Sequence, residues 1–171
     1  MKTFVGTPKQ ISALVWNLDG EKLYELREHK DTRTAKENRY FHRLVGLLAR
    51  GEEIPFAEKK NELIRSYGNH ELLRGEDGKP EYKILPDDDA WKRDEVYHYY
   101  PTSYTDEFRG LKVRAFVLLK GTSTYNTTEM AELIQATRNE CEGCGIPREE
   151  YETLEERELF LRMTYGKHRT E

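Results

Sequence analysis

An α+β fold, with a small mixed or antiparallel sheet packed against helices in one domain, is what this sequence predicts. Three observations carry that expectation. Segments of strand composition and of helical periodicity alternate irregularly along the chain, without the repeating strand–helix–strand order of a parallel sheet. Several helices announce their starts with capping pairs. The 171 residues are 35% charged and 36% hydrophobic, enough apolar material for one core of modest depth under a large solvated surface.

Taken in order, Ile11 to Leu18 is a short apolar segment between Pro8 and the turn signal Asp19-Gly20, and it reads as a strand. Lys22 to His29 fits strand and helix equally well by periodicity. Thr34 with Glu37 forms a capping box, and behind it Tyr40, Phe41, Leu44, Val45, Leu47 and Leu48 recur at helical spacing. A second helix is predicted from Pro55 to Gly68, burying Phe56, Leu63, Ile64 and Tyr67. Glu76 to Pro80 is a turn cluster flanked by Leu72-Leu73 and Tyr82 to Leu85, as at a hairpin tip. Asp87-Asp88-Asp89 precedes a short piece around Trp91. Val96 to Tyr100 and Val113 to Leu119 have strand composition, with Thr102 to Gly110 expected as a polar loop between them. Asn126 with Glu129 caps a helix carrying Met130, Leu133, Ile134, Thr137, Cys141 and Cys144 on one stripe and ending at Gly145. Thr153 with Glu156 starts a last short helix containing Leu159, Phe160 and Met163.

No run of about 18 apolar residues is present, which excludes a membrane-spanning helix. Met1 to Gly6 lacks the pattern of a signal peptide, and two cysteines are too few for a disulfide-stapled secreted fold, so a cytoplasmic location is expected. The net charge of −4 argues at face value against a polyanionic partner, but the charge is uneven. Lys22 to Arg50 holds eight Lys/Arg against four Asp/Glu, whereas Asn139 to Glu158 holds eight Glu against two Arg. A polyanion responds to the local field, so this asymmetry is more informative than the sum.

Lys36, Arg39, Arg43 and Arg50 share one stripe of the Thr34–Arg50 helix beside its apolar face, with Arg33 just before it. Such a rail of cations can track phosphates; a solvated helix face is the plain alternative. Tyr97, His98, Tyr99, Tyr100, Tyr104 and Phe108, followed by Arg109, Lys112 and Arg114, could stack unpaired bases. The plain alternative is core on one face and a cross-strand aromatic ladder on the other. Cys141 and Cys144 form a lone C-x-x-C, two ligands short of a structural zinc site, and are expected to be buried thiols. Three consecutive aspartates point to different sides and do not converge on a metal, and no nucleotide-binding or hydrolase motif is present. No catalytic residue, metal or cofactor is therefore assigned, and a binding protein is expected in preference to an enzyme.

Two segments together resemble a known family. Arg33-Thr34-Ala35-Lys36-Glu37-Asn38-Arg39-Tyr40-Phe41 is similar to the Arg-[Ser/Thr]-x-x-x-Asn-x-x-[Tyr/Phe/Trp] opening of the first helix in the phage NinB/Orf recombination-protein family, with Glu37 where many members have Gln or Ala. Gly121-Thr122-Ser123-Thr124-Tyr125-Asn126-Thr127-Thr128-Glu129-Met130, continuing through Leu133-Ile134 to Gly145-Ile146-Pro147, resembles that family's Ser-Thr-rich turn, helix and Gly-Ile ending. The two segments span about a quarter of the chain, and residues 67–104 match less well, as an insertion would. The resemblance implies a small α+β homodimer of phage or prophage origin that binds single-stranded or branched DNA. It further implies help in loading recombinase onto strands coated by single-strand binding protein. On that reading Arg33, Lys36, Arg39, Arg43 and Arg50 contact phosphates, Asn38 fixes the motif's backbone, and Ser123 and Thr124 at a helix start add phosphate contacts. Arg109, Lys112 and Arg114 are a second set. Two alternatives are an interaction module acting through the acidic C-terminal segment, residues 139–171, and a metal-dependent structure-selective nuclease using Asp87 to Asp89.

Overall fold

A computed structural model describes residues 6–24 and 34–166. The chain divides into two compact units, Met1–Asp31 and Thr32–Glu171. In the first, Thr7 and Gln10 form a reciprocal capping box with Pro8 in the first turn, and helix α1 follows over Pro8–Val15. The strand expected over Ile11–Leu18 is therefore a helix. Pro8 acts here as a helix initiator, its missing N–H costing nothing in a first turn whose donors lack partners anyway. No residue of α1 is buried. Residues 22–24 are irregular, and the remainder of the ambiguous segment 22–29 lies outside the described residues, as does Arg33.

The larger unit begins with α2, Ala35–Gly51, whose capping box pairs Thr34 with Glu37 as expected. Tyr40, Phe41, Leu44, Val45 and Leu48 are buried along one stripe, each apolar side chain contributing roughly 1.5–3 kcal/mol on leaving water. Helix α3, Phe56–Tyr67, buries Leu63 and Ile64 but leaves Phe56 and Tyr67 at 41% and 43% exposure. Both sit in the end turns, beyond the packed stripe: Phe56 lies edge-on to His42, and the Tyr67 hydroxyl donates to Glu140. Helix α4, Thr127–Gly143, is capped by Asn126 and Glu129 and packs its Met130, Leu133 and Ile134 into the same cluster. A short α5, Arg148–Tyr151, and α6, Leu154–Tyr165, capped by Thr153 and Glu156, complete that layer with Tyr151, Phe160 and Met163.

The sheet is antiparallel in the order β1-β3-β2, formed by β1 Tyr82–Pro86, β2 His98–Phe108 and β3 Leu111–Leu119. The turn at 76–80 is present, with Arg74 bridged to Pro80. Asp87 to Asp89 lead into a 3-10 helix at Ala90–Arg93 that sets Trp91 against Phe116. Thr102 to Gly110 is not a loop. Strand β2 runs on to Phe108 through a register shift between Pro101 and Thr105, and Arg109-Gly110 reverses the chain with φ of 53° and 80°. Two successive positive φ values give the tight hairpin turn that matches strand twist. Solvent bathes this end of β2, so it needs no alternating apolar pattern. Tyr99, Phe116 and Leu118 make a second small core with Leu85, Trp91 and Tyr97, while Tyr82, Ile84 and Tyr100 on the opposite face stay exposed. Residues 67–104 thus supply β1, the 3-10 helix and the first part of β2. The α+β expectation holds, with the sheet antiparallel throughout.

Candidate functional site

Thr122–Thr124 form one 3-10 turn between β3 and α4, and this turn meets α2 across a cleft of about 200 Å³. Asn38 and His42, one helical turn apart, line it from α2, and Lys60 lines it from α3. Glu95, Val96 and His98 close it from the start of β2, with Gly121, Thr122 and Ser123 opposite. The two segments that carry the family resemblance, more than eighty residues apart, therefore share one concavity. It is smaller than the roughly 300–1,000 Å³ of a drug-sized pocket.

The orientation of His98 follows from its neighbours. The Asn61 amide nitrogen donates to the carbonyls of Lys92 (3.0 Å) and Asp94 (2.7 Å), which leaves its oxygen 2.7 Å from His98 Nδ1. Nδ1 must then carry the proton, and Nε2, which lies beside Gly121, is the acceptor. Burial pushes the His98 pKa down to about 4, the Lys60 ammonium pushes the same way, and Asp94 opposes both. The imidazole is neutral at ordinary pH. The Asn38 Oδ1 atom is buried without a hydrogen-bond partner among the described residues. The cleft thus combines one ammonium, the Glu95 carboxyl group, hydroxyls and two neutral acceptors, a set that binds and orients polar groups.

Two of the four described cations of the rail expected on α2 are occupied from within the chain. Lys36 Nζ lies 2.9 Å from Glu155, and Arg43 Nη1 lies 2.5 Å from Glu156 while Nη2 donates to the Glu150 carbonyl at 2.6 Å. Acidic side chains of α6 have the shape and charge to satisfy these cations, and the fold brings the two charge blocks together. Arg39 and Arg50 are exposed and make no ion pair among the described residues. Arg114 is also engaged, in a two-pronged pair with Asp87 (2.6 and 3.1 Å) and a bond to the Thr102 carbonyl. Arg109 stacks on Phe108 at the hairpin end and Lys112 is exposed nearby; neither lines the cleft. Ser123 is exposed in the cleft, but the Thr124 hydroxyl turns back to the Gly121 carbonyl at 2.8 Å and serves the turn itself.

Of the other candidates, Tyr97 and Tyr99 share a face with Lys83 over the Tyr97 ring at 3.4 Å, and Tyr100 lies against His70. Asp88 accepts from the Ala90 amide and Asp89 pairs with Lys92, so with Asp87 held by Arg114 each aspartate has its own local partner. Among the described residues no group of three His, Cys, Asp or Glu side chains could hold a metal ion. Cys141 is buried, its thiol pushed up to about 11 by burial first and by the neighbouring Cys144 next, whereas Cys144 is exposed. The expected pair of buried thiols is thus one, because Cys144 is the residue at which α4 ends. No helix of the described residues is long and apolar enough to cross a membrane.

His42, Lys60 and Glu95 carry no mark of their own in the sequence, and His98 reads there as one of an aromatic cluster and as a neighbour of the acidic residues Asp87 to Asp89 and Asp94. His42 stands four residues after Asn38, and that helical spacing was the one available signal. Comparison with family models, curated proteins and solved structures gives no match.

Proposed function

We propose that this chain is a non-catalytic, phage-type recombination accessory protein that binds single-stranded or branched DNA and assists recombinase loading. Its primary contact is the cleft between α2 and the Gly121–Ser123 turn. The observation that carries this reading is the meeting of the two family-like segments on that one cleft, with Asn38 on one wall and Ser123 on the other. Lys60 supplies the cationic contact, Ser123 a hydroxyl, and exposed Arg39 extends the positive surface along α2. The role in recombination, a homodimeric state and engagement of single-strand binding protein or recombinase follow from the resemblance alone.

Fluorescence anisotropy with a labelled single-stranded oligonucleotide tests the reading. Binding should weaken steeply between roughly 0.05 and 0.2 M salt and depend little on base sequence. Replacing Lys60 by Gln should remove one phosphate contact, worth about fivefold in affinity near 0.1 M salt, and flatten the log–log salt slope by about 0.7. Arg157→Gln, on the exposed side of α6, should change neither. Equal effects of the two substitutions would refute the cleft as the contact. Absence of any binding at low salt would refute the DNA reading and favour the interaction module.

A further inference from the structure

Resting on the DNA-binding reading above, we infer that the acidic start of α6 is a built-in competitor for DNA: Glu155 and Glu156 occupy on α2 the positions that backbone phosphates would take. Lys36 and Arg43 stand two helical turns apart on one stripe of α2. Each meets a carboxylate from consecutive residues of α6, at 2.9 and 2.5 Å. Carboxylate and phosphate oxygens present the same acceptor geometry to ammonium and guanidinium groups, so one can stand in for the other.

The carboxylates are held there by the fold. Buried Phe160 and Met163 fix α6 within the helical core. Just before α6, Glu152 is tied to Arg138 of α4 at 2.8 Å and to Arg148 at 2.6 Å. Glu156 is fixed further by accepting the Thr153 amide at 2.8 Å as the capping partner of α6. The outer pair is accessible, with Lys36 and Glu155 side chains 64% and 72% exposed. A strand of DNA can therefore displace Glu155 without opening the core. The Arg43–Glu156 pair, at 35% and 18%, yields less readily. The device lowers affinity for short or isolated polyanions and favours a ligand already anchored in the cleft, which can then reach along α2.

The test is the pair Glu155→Gln/Glu156→Gln in the full chain, since Gln at position 156 retains a capping oxygen. With a single-stranded oligonucleotide, two released cations should raise affinity about 25-fold near 0.1 M salt and steepen the salt slope by about 1.4. Glu155→Gln alone, at an exposed position outside the cap, should give about fivefold and guards against a folding defect in the double variant. A charge-matched control, Glu76→Gln/Glu132→Gln at two other exposed positions, should leave both quantities close to wild type. Adding Lys36→Gln/Arg43→Gln to the first variant should cancel its gain. Unchanged affinity and slope in Glu155→Gln/Glu156→Gln would overturn the inference while leaving the cleft reading intact. An equal gain in the control, or a gain that survives loss of Lys36 and Arg43, would overturn it as well. Failure of wild type and variants alike to bind would instead remove the DNA reading on which it rests.

Discussion

Removing the Glu152 carboxylate should cost this protein a large share of its stability. The Glu152 and Arg138 side chains are 2% and 8% exposed, with Oε1 2.8 Å from Arg138 Nη2. Arg148 approaches the other oxygen at 2.6 Å, and the Tyr40 hydroxyl lies 3.4 Å from Oε1. Arg138 has few other resources: its Nε already lacks a partner among the described residues, and its guanidinium lies over the Phe160 ring, 4.4 Å from the centroid. Glu152→Ala would leave that guanidinium buried and uncompensated. Breaking a buried pair in this way costs about 3–5 kcal/mol, against a total of roughly 5–15 kcal/mol for an ordinary domain. At about 3 °C per kcal/mol for a domain of this size, Tm should fall by about 10 °C. Urea unfolding followed by far-ultraviolet circular dichroism measures it, with the midpoint displaced and the m-value unchanged. Arg138→Met/Glu152→Leu, which removes both charges and keeps apolar volume against Phe160, should recover most of the loss. A Glu152→Ala protein within about 1 kcal/mol of wild type would show that the Arg138 charge finds water or another carboxylate, and the claim that this network anchors α6 would fail.

Two further outcomes are expected. Gly68→Ala should destabilise by about 1–3 kcal/mol, because a Cβ there would lie 2.6 Å from both the Ile64 carbonyl and the Tyr125 hydroxyl; a rise in Tm, the usual gain from removing a glycine, would contradict that geometry. His98, held down to about 4, resists a proton that the unfolded chain accepts near 6.5. Its contribution, about 3 kcal/mol at most, is present above pH 6.5 and is lost as the pH falls toward 4. The urea midpoint should thus decline more steeply with acid in wild type than in His98→Gln, and parallel pH profiles would refute the assignment.

Much of the helical layer was legible because its signals are local. Thr34–Glu37, Asn126–Glu129 and Thr153–Glu156 each close a reciprocal cap within four residues, and all three helices start where those pairs stand. The same pattern at Thr7 and Gln10 stands before a short apolar run that by itself fits a strand, and the cap decides in favour of helix α1. The far half of β2 was missed for the opposite reason: an edge strand in solvent carries no burial pattern to read. In the cleft, Asn38 and Ser123 were marked by motif. His98 is tied to α3 by Asn61 through a bond spanning 37 positions, and Lys60 lines the cleft from the same helix; nothing local to either residue reports it.

The largest departure concerns charge. Both blocks were visible in the sequence, yet their mutual neutralisation was not, because the pairs join residues 119 and 113 positions apart. That finding divides the surface of α2 into parts with different chemistry. One buries its apolar stripe against α3 and α4, one gives Lys36 and Arg43 to the carboxylates of α6, and one presents Asn38 and His42 to the cleft. A helix whose cations were all unpaired would attract any polyanion at long range and discriminate little among them. Pairing two of them within the chain makes Lys36 and Arg43 available only to a ligand that can outcompete Glu155 and Glu156, while Arg39 and Arg50 stay exposed. On the proposed reading, a DNA strand engages the cleft and exposed Arg39 before it reaches Lys36 and Arg43. That order predicts that Lys60→Gln and Glu155→Gln have multiplicative effects on affinity only for strands long enough to reach both places.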